Sequence, residues 1–514
     1  MARIPGSAVT AGPEYKLEER RTPADLDPQQ FRDIGHQLVD DIAVLLETIR
    51  NRPLGPGETV SDIRAALGAE QPLPRNGTDA GQLLSEVTQL LLDHSLFNGH
   101  PRYFGYISGS PAPLGILADM LASAVNPNVG GWILSPMASE IESQALRWIA
   151  ELVGFPEGGG GVLVSGGNVA NMLGFWAART ATARWDLRRS GMRSEAGRTM
   201  RAYGSKGMHT WIEKAADLSG LGSDSVRWVD TDSKGRLDIT VLRDQVELDL
   251  AAGDLPFLVI GTGGSVSTGA VDPLPALREL CDEFGMWFHV DGAYGAFAAA
   301  ASEASADLKG LALADSLALD PHKWLYTPLE AGCTLVRDPK ALTATFSYHP
   351  EYYHFDEEAN NYFEHGLQNS RGFRALKVWL VLKHIGREGY VRMMGEDIEL
   401  SRRFYEIADN HPEIEAFTHS LSIATYRFVP RDLAERTKQH QVSRYLDHLN
   451  REVQDRMEKG GQAFVSNAVL KDMYVLRMCV VNFRTTLEDV VALVDITTAL
   501  GRQVDGEMRP KELI

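Results

Sequence analysis

Between Asp27 and about residue 95, apolar residues recur every three or four positions in several stretches, which is the spacing of one face of an α-helix. The first apolar stripe consists of Phe31, Ile34, Leu38, Ile42 and Leu45. Further helical stretches at 60–67 and 81–95 follow a connector of Pro and Gly residues at 52–57. A helical segment without a compact core of its own favours an arm that packs on a partner over a free domain.

Farther along the chain, short apolar runs alternate with amphipathic stretches. The runs predict buried strands at 161–164, 200–203, 226–229, 257–260, 286–290, 316–319 and 334–336. Because strands that alternate with helices usually pair in parallel, we predict an α/β domain whose mostly parallel sheet carries helices on both faces. Ligands bind such sheets beyond the carboxyl ends of the strands.

Local signals predict where three helices begin. Ser139-x-x-Glu142 and Thr485-x-x-Glu488 match the capping box, in which a hydroxyl and a carboxylate satisfy free backbone N–H groups. Asp272-Pro273 predicts a third start, with the Asp as N-cap and the Pro in the first turn.

Beyond about residue 385 the residue pattern changes. Long helical stretches at 390–408, 440–459 and 487–503 flank predicted strands at 422–428 and 474–482, which indicates a smaller α+β domain. The chain is therefore predicted to divide into a mobile tail at 1–24, a helical dimerisation segment at 25–112, a large domain at 113–385 and a small domain at 386–514.

Composition narrows the class of protein. A chain of 514 residues with 44% hydrophobic and 23% charged residues is typical of a globular protein of more than one domain. The formal net charge of -18, without a basic cluster, argues against nucleic acid and anionic membranes as partners. No apolar run approaches the ~20 residues of a membrane span, and no apolar signal segment opens the chain. Three scattered cysteines without metal-ligand spacing predict free thiols, and with them a cytoplasmic protein.

At or just beyond the ends of two predicted strands stand residues whose side chains suit catalysis. Lys323 follows the apolar run at 316–319, and Pro321 ends the regular pairing there. A poorly solvated lysine is a nucleophile suited to Schiff-base chemistry, although a lone lysine at a strand end more often only extends towards solvent. Asp291 ends the run at 286–290. A lysine and a carboxylate are what pyridoxal 5'-phosphate requires for its aldehyde and its ring nitrogen.

The segments 289–294, which reads His-Val-Asp-Gly-Ala-Tyr, and 320–324, which reads Asp-Pro-His-Lys-Trp, resemble the signatures of the group II pyridoxal-phosphate decarboxylases. This family includes aromatic-L-amino-acid, glutamate, tyrosine and tryptophan decarboxylases. The resemblance extends from about residue 25 to the C-terminus. It implies the aspartate aminotransferase-like fold (fold type I), a homodimer to which the N-terminal helical segment contributes, and Lys323 as the residue that holds the cofactor.

The resemblance also implies roles for residues that are unremarkable by themselves. His209 matches the histidine that stacks on the cofactor ring, and Ala293 matches the small residue below it. The phosphate is expected at Gly167 and Asn168, where a run of small residues opens a helix. Ser265, which stands where relatives usually carry Thr, is expected to keep a polar contact.

Two residues beside the lysine complete the expected cofactor site. His322 is predicted to hold the phosphate or to orient the lysine. Asp320 stands where relatives carry Asn or Asp, and because a carboxylate repels phosphate, capping of a neighbouring backbone is the alternative to a cofactor contact.

Tyr352 matches the tyrosine of a mobile catalytic loop that returns a proton to the substrate after CO2 has left. Relatives that produce aldehydes tend to replace this tyrosine or the histidine matched by His209; both are present here. Substrate contacts are predicted for Tyr103, Tyr106 and Trp132. Arg484 is a candidate for the substrate carboxylate, as are the arginines of the segment 370–374.

We therefore predict an L-amino-acid decarboxylase with an aromatic substrate. Three alternatives remain: an acidic substrate of the glutamate type, an aldehyde synthase or carbon–carbon lyase with the same lysine, and a non-catalytic relative that binds a partner through its acidic surface. Gly105, Gly130 and Gly131 fall in the predicted pocket segments, so the shape of the pocket stays open.

Overall fold

The computed structural model describes residue 22 and residues 24–192, 198–348 and 359–513. The chain forms two compact units, one made of Met1–Asn51 with Glu58–Ser95 and the other of Arg52–Gly57 with Leu96–Ile514. In the described ranges, no helix combines the length and apolar character needed to cross a bilayer.

The first unit contains helices α1 (Pro28–Thr48), α2 (Val60–Leu67) and α3 (Ala80–His94). Their positions agree with the apolar periodicity. The Asp27 carboxylate caps α1 by accepting hydrogen bonds from the next backbone N–H groups. None of the residues in these three described helices is buried within the chain, so the three helices form no buried core among themselves.

The second unit carries two sheets. Its described helices are α4 (Pro113–Val125), α5 (Pro136–Val153), α6 (Gly167–Thr182), α7 (Leu187–Ser190), α8 (Trp211–Leu218), α9 (Ile239–Ala251), α10 (Leu274–Phe284), α11 (Pro321–Trp324), α12 (Lys340–Phe346), α13 (Ala375–Asp409, interrupted at Gly386), α14 (His440–Lys459) and α15 (Leu487–Met508). Its described strands are β1 (Tyr103–Phe104), β2 (Gly160–Val164), β3 (Met200–Ser205), β4 (Val226–Val229), β5 (Leu255–Thr262), β6 (Trp287–Asp291), β7 (Ser316–Leu319), β8 (Gly332–Val336), β9 (Ile414–Ser420), β10 (Ile423–Phe428), β11 (Phe464–Leu470) and β12 (Met473–Cys479).

The larger sheet of the described chain has the strand order β2-β8-β7-β6-β5-β3-β4. Strands β3 to β7 pair in parallel, whereas β8 runs antiparallel to both of its neighbours. The predicted mostly parallel α/β sheet is therefore confirmed. Asp291 at the end of β6 is level with Thr262 of β5 and Ala318 of β7, so the carboxyl ends of three central strands meet at one edge.

The smaller sheet has the order β1-β11-β12-β10-β9 and packs its apolar side against α13, α14 and α15. The segments of β10 and β12 were predicted, but β9 and β11 were not, because β9 is largely half-exposed and β11 mixes buried and exposed residues without a clean apolar alternation. The apolar core around the larger sheet is separate from the core beneath the smaller one. The predicted domain boundaries stay predictions.

Both of the predicted capping boxes are wrong. Helix α5 begins at Pro136, so Ser139 and Glu142 lie inside it and are buried. The last helix, α15, is capped one residue later than predicted, by Thr486 together with Asp489. In both cases the local spacing is right for a cap, but Glu142 pairs with Arg371 and Thr485 Oγ1 donates to the carbonyl oxygen of Pro101.

Asp272 does not cap α10, which starts without a side-chain cap. Its buried carboxylate instead accepts hydrogen bonds from the backbone N–H groups of Leu237 (2.7 Å) and Thr262 (2.8 Å). Burial raises the pKa of Asp272 to about 6. The helix ends at Gly285, which adopts the left-handed conformation common at such ends.

Glu142 forms a buried ion pair with Arg371 at 2.5 Å. The same guanidinium donates to the carbonyl oxygens of Val129 and Leu163, and Glu142 also accepts from the backbone N–H of Leu163. The prediction that Arg371 binds a substrate carboxylate is therefore wrong, because its donors are used in joining α5 to β2.

Glu142→Gln should destabilise the fold by about 3–5 kcal/mol, because it leaves the Arg371 charge buried without a counter-charge. Urea unfolding followed by tryptophan fluorescence measures this loss. Asp455→Ala, which breaks the exposed pair between Lys459 and Asp455, is the control and should change stability by less than about 1 kcal/mol. Equal effects of the two variants would contradict a structural role for the buried pair.

Candidate active site

A cavity of about 520 Å³ opens at the carboxyl ends of the central strands. Nine of the predicted site residues line it: Tyr106, Gly167, Asn168, His209, Asp291, Ala293, Asp320, His322 and Lys323. A larger cleft, of about 920 Å³, borders α5 and the glycine turn at 158–161, but none of the predicted site residues lines it. The smaller cavity is therefore the candidate site.

Lys323 lies on α11, a single helical turn that follows β7. Its Nζ forms an ion pair with Asp320 Oδ2 at 2.8 Å, and about a fifth of the lysine side chain (22%) is exposed. Asp320 is buried, and its other oxygen accepts no hydrogen bond from the described residues. Because α11 has no side-chain cap, the alternative in which Asp320 caps that helix is not supported.

His322 points its Nδ1 at the backbone of Ala331, with its oxygen at 2.7 Å and its nitrogen at 3.2 Å. Nε2 lies 3.8 Å from Asp320. Burial lowers the pKa of His322, an effect that the nearby Asp320 charge partly offsets, so the imidazole is neutral at pH 7. These contacts join the lysine turn to the start of β8.

Two donors orient the carboxylate of Asp291. The indole Nε1 of Trp211, in the first turn of α8, donates to Oδ2 at 2.8 Å, and the backbone N–H of Ala293 donates to Oδ1 at 3.2 Å. Trp211 is buried. Sequence analysis missed it, although its position two residues after His209 is a signal that could have drawn attention to it.

A directional chain of hydrogen bonds links β6 to the first turn of α6. Trp287 Nε1 donates to Ser316 Oγ, whose hydroxyl is left to donate to Nδ1 of His289. The opposite ring nitrogen then donates to Asn171 Oδ1, and Asn171 Nδ2 donates to the carbonyl oxygen of Gly167; both distances are 2.8 Å. Burial lowers the pKa of His289 to about 4, which keeps the ring neutral, as this single tautomer requires.

The N-terminus of α6 forms the part of the cavity suited to an anion. A Cβ at Gly167 would lie 2.5 Å from Asp320 Oδ2 and 3.0 Å from the Ala293 Cβ, so this position has room only for glycine. Asn168 and Ser165 line the cavity beside it. The free N–H groups of a helix N-terminus favour a phosphate here.

Two predicted cofactor contacts have different surroundings. His209 lines the cavity, and its Nδ1 accepts from the backbone N–H of Trp211 at 3.3 Å. Ser265 is buried beside the cavity, but its Oγ shares a hydrogen bond with Thr268 Oγ1 at 2.9 Å within the same turn. Its contact with the cofactor stays a prediction.

Of the predicted substrate residues, only Tyr106 lines the cavity. Tyr103 is buried, and its ring stacks on Phe464 at 5.2 Å between centroids; Phe464 also contacts the Tyr106 ring at 5.8 Å. Trp132 does not line the cavity and donates from Nε1 to Glu140 at 2.9 Å. Arg484 lies away from the cavity lining and donates to Ser110 Oγ.

Two predicted residues remain, Arg374 and Tyr352. Arg374, the other arginine of the 370–374 segment, pairs with Glu330 at 3.0 Å. Tyr352 lies outside the described residues, so its role stays a prediction.

Arg477 is a further residue that sequence analysis missed. It lies on β12, is 3% exposed, and donates from Nη1 to the carbonyl oxygen of Val266, which lines the cavity. Its Nε and Nη2 have no hydrogen-bond partner among the described residues. Burial lowers the pKa of Arg477, which indicates a guanidinium that gains from an anionic partner.

The described residues fit pyridoxal phosphate. An amine on Lys323 and a carboxylate on Asp291 line one cavity, and the helix N-terminus at Gly167 is shaped so that a Cβ would obstruct it. These are the groups that the cofactor's aldehyde, ring nitrogen and phosphate require.

Comparisons with known proteins agree with this fit. Residues 64–425 match the family model of the pyridoxal-dependent decarboxylase conserved domain. The aromatic-L-amino-acid decarboxylase of Bacillus atrophaeus is 31% identical over 485 residues, covering 93% of this chain and 97% of the relative. The phenylacetaldehyde synthase of Petunia hybrida is 28% identical, with 92% and 94% covered. The crystal structure of Oryza sativa TDC with PLP and tryptamine has a TM-score of 0.85 at 26% identity, covering 96% of this chain and 100% of that chain. The predicted fold type I is confirmed.

Gly167→Ala should weaken pyridoxal phosphate binding by about 10- to 100-fold, because relief of the added contacts moves Asp320 or the first turn of α6. Absorbance titration of the cofactor-free protein measures this change. Gly506→Ala, in open space on α15, is the control and should leave the affinity unchanged. An unaltered dissociation constant for the Gly167 variant would show that the phosphate binds elsewhere.

Proposed function

Because the chain belongs to the pyridoxal-dependent decarboxylase family, we propose that it removes CO2 from an aromatic L-amino acid and releases the corresponding amine. The observation that carries this proposal is that Lys323 and Asp291 line one cavity together with the aromatic ring of Tyr106.

Pyridoxal phosphate, when bound, supplies an aldehyde that condenses with amines and an aromatic ring that takes up the electron pair left when CO2 departs. Lys323 supplies the amine that holds the cofactor and must leave its ion pair with Asp320 to do so. Asp291, oriented by Trp211 and the Ala293 backbone, holds a proton at the ring nitrogen. His209 provides a flat partner for the ring, and the N-terminus of α6 binds the phosphate.

The aromatic wall beside the cavity supports an aromatic substrate. Phe464 lies between Tyr103 and Tyr106 because Gly105 leaves room for it; a Cβ at Gly105 would lie 2.1 Å from the Phe464 ring. The backbone N–H of Tyr106 donates to Ser466 Oγ at 2.6 Å, which anchors the end of this wall. Stacked rings of this kind favour a flat apolar side chain.

Arg477 is the observation that favours the second candidate, an acidic substrate. Its Nη1 donates to the Val266 carbonyl oxygen, whereas Nε and Nη2 have no hydrogen-bond partner among the described residues. A substrate carboxylate would satisfy them with charge-assisted hydrogen bonds. The guanidinium serves the α-carboxylate of an aromatic substrate equally well, so the substrate itself has to distinguish the two candidates.

We expect a homodimer, and exposed apolar surface supports it. Helix α4 and the residues after it expose Leu117, Met120, Leu121, Val125, Ile133, Leu134 and Met137, each of them more than half exposed. The first unit buries no residue of its three described helices. A second copy of this chain would cover both surfaces. A cytoplasmic location is supported by the three buried free thiols.

The wild-type protein loaded with pyridoxal phosphate should form amine from phenylalanine, tyrosine or tryptophan at least about tenfold faster than from glutamate, the discrimination of one well-packed ring. Lys323→Ala should lose both amine formation and the visible absorbance of the bound cofactor. Lys340→Ala, at the start of α12, is the control and should keep both. Preference for glutamate would favour the acidic alternative, and retained absorbance in the Lys323 variant would overturn the site.

Tyr352→Phe separates decarboxylation from aldehyde synthesis. If Tyr352 returns the proton, its loss in air-saturated buffer should divert product from amine to aldehyde, with dissolved O2 as the two-electron oxidant and water as co-reactant, so that ammonia and hydrogen peroxide are released while cofactor affinity stays unchanged. Product analysis by chromatography measures the ratio. Tyr348→Phe, at an exposed tyrosine nearby, is the matched control. Unchanged amine output from the Tyr352 variant would remove the tyrosine from the mechanism.

A further inference from the structure

Helix α13 forms hydrogen bonds with the residues that directly follow Lys323. The indole Nε1 of Trp324 donates to Asp397 Oδ2 at 2.8 Å, and the hydroxyl of Tyr326 donates to the same oxygen at 2.7 Å. Two turns earlier on the helix, the Tyr390 hydroxyl donates to the carbonyl oxygen of Leu325 at 3.1 Å. The three consecutive residues after Lys323 thus form hydrogen bonds with one face of this helix.

The segment 324–326 is buried, and Tyr326 within it has an unfavourable backbone conformation. Trp324 and Tyr326 are completely buried, and Asp397 is 3% exposed. Tyr326 has a φ of 56°, in the left-handed region that a bulky residue adopts only when its surroundings impose it. Its backbone N–H donates to the carbonyl oxygen of Lys323 at 3.2 Å, so this strained residue closes the turn that carries the lysine.

The same tryptophan connects the lysine turn to the carboxylate strand. The Trp324 ring stacks on Tyr294 with 5.1 Å between centroids and 9° between planes. Tyr294 follows Asp291 by three residues and shares a hydrogen bond with Ser422 Oγ at 2.7 Å. A displacement of Trp324 would therefore change the separation of Lys323 and Asp291.

We propose that Asp397 is a positioning residue that fixes the place of Lys323 relative to Asp291 through Trp324 and Tyr326. The proposal rests on the proposed function, in which those two residues hold opposite ends of one cofactor. Lys323 must reach the same atom of the cofactor in every turnover, so its backbone has to keep one position. A misplacement of about 1 Å can reduce turnover by about 100-fold.

Two substitutions distinguish the role of Asp397 as a hydrogen-bond acceptor from the role of its negative charge. Asp397→Asn keeps a carbonyl oxygen for both donors, whereas Asp397→Leu has a similar size and leaves the Trp324 and Tyr326 donors buried without an acceptor. The asparagine variant should retain kcat, cofactor affinity and the circular dichroism of the bound cofactor's visible band. The leucine variant should lower kcat and cofactor affinity by about 10- to 100-fold and change that band.

Asp249→Leu is the matched control for general destabilisation. Asp249 is another buried carboxylate that accepts from a tyrosine, Tyr203 at 2.9 Å, but it lies on α9, outside the cavity lining. It should lower the unfolding temperature without changing the visible dichroism. If Asp397→Leu does not fold, Tyr326→Phe removes only one of the two hydrogen bonds and should shift the band in the same direction.

Burial raises the pKa of Asp397 to about 7, which gives a second readout. The titratable groups that face it are Tyr326, Glu396 and Cys479, with Tyr390 one contact farther. Because the folded pKa exceeds that of an unfolded aspartate, near 3.9, the stabilising proton is fully present below about pH 4 and lost as the pH rises through about 7. The wild-type protein should therefore lose stability relative to Asp397→Asn as the pH rises. The unfolding temperature of the variant minus that of the wild type should increase between pH 5 and 8.

The outcomes are distinguishable. Failure of the wild-type protein to bind pyridoxal phosphate would overturn the proposed function. Binding by the wild type, with visible dichroism and kcat as little changed in Asp397→Leu and Tyr326→Phe as in Asp249→Leu, would overturn only the positioning role. Loss of the visible signature in Asp397→Leu, with recovery in Asp397→Asn, supports it.

Discussion

The parallel pairing of β6 with β7 is the constraint on which the site depends. It aligns Asp291 with Ala318, so the carboxylate that ends one strand and the lysine turn that follows the next open into the same cavity. The stacked rings of Tyr294 and Trp324 join the two chain segments just beyond the strands. A cofactor that requires an amine and a carboxylate at opposite ends of one ring is served by two neighbouring strands and one aromatic contact.

The residues that share a short motif could be predicted from the sequence. Asp291 ends an apolar run and Lys323 lies four residues after the end of another, and a buried strand in a parallel sheet is recognisable without its neighbours. Gly167 was assigned to the phosphate through the resemblance to the family, because a run of small residues between a strand and a helix is by itself more often only a turn. For these positions, local sequence and tertiary structure give the same answer.

The residues that act through distant partners could not be predicted. Trp211, Phe464, Arg477 and Asp397 belong to four separate elements and contact residues in or next to the site, and a tryptophan on a helix or an arginine on a strand carries no sign of its partner. The wrong capping boxes have the same origin. Glu142 has the right spacing for a cap, but a buried arginine 229 positions away binds it more strongly than the free N–H groups of a helix end.

Glu142 and Asp320 are both buried acidic residues that pair with a cation, and their two ion pairs differ in a way that suits their tasks. Glu142 and Arg371 satisfy each other and also bind backbone groups of β2, so neither can leave without exposing a charge to an apolar interior. Lys323 has one ion-pair contact with Asp320 below 3 Å and keeps about a fifth of its side chain exposed. A pair with fewer supporting bonds is easier to open, because less compensation is lost when the lysine moves. The Nζ of Lys323, which must exchange partners, therefore has few supporting contacts. The backbone of Lys323 is fixed through the hydrogen bonds of Trp324 and Tyr326.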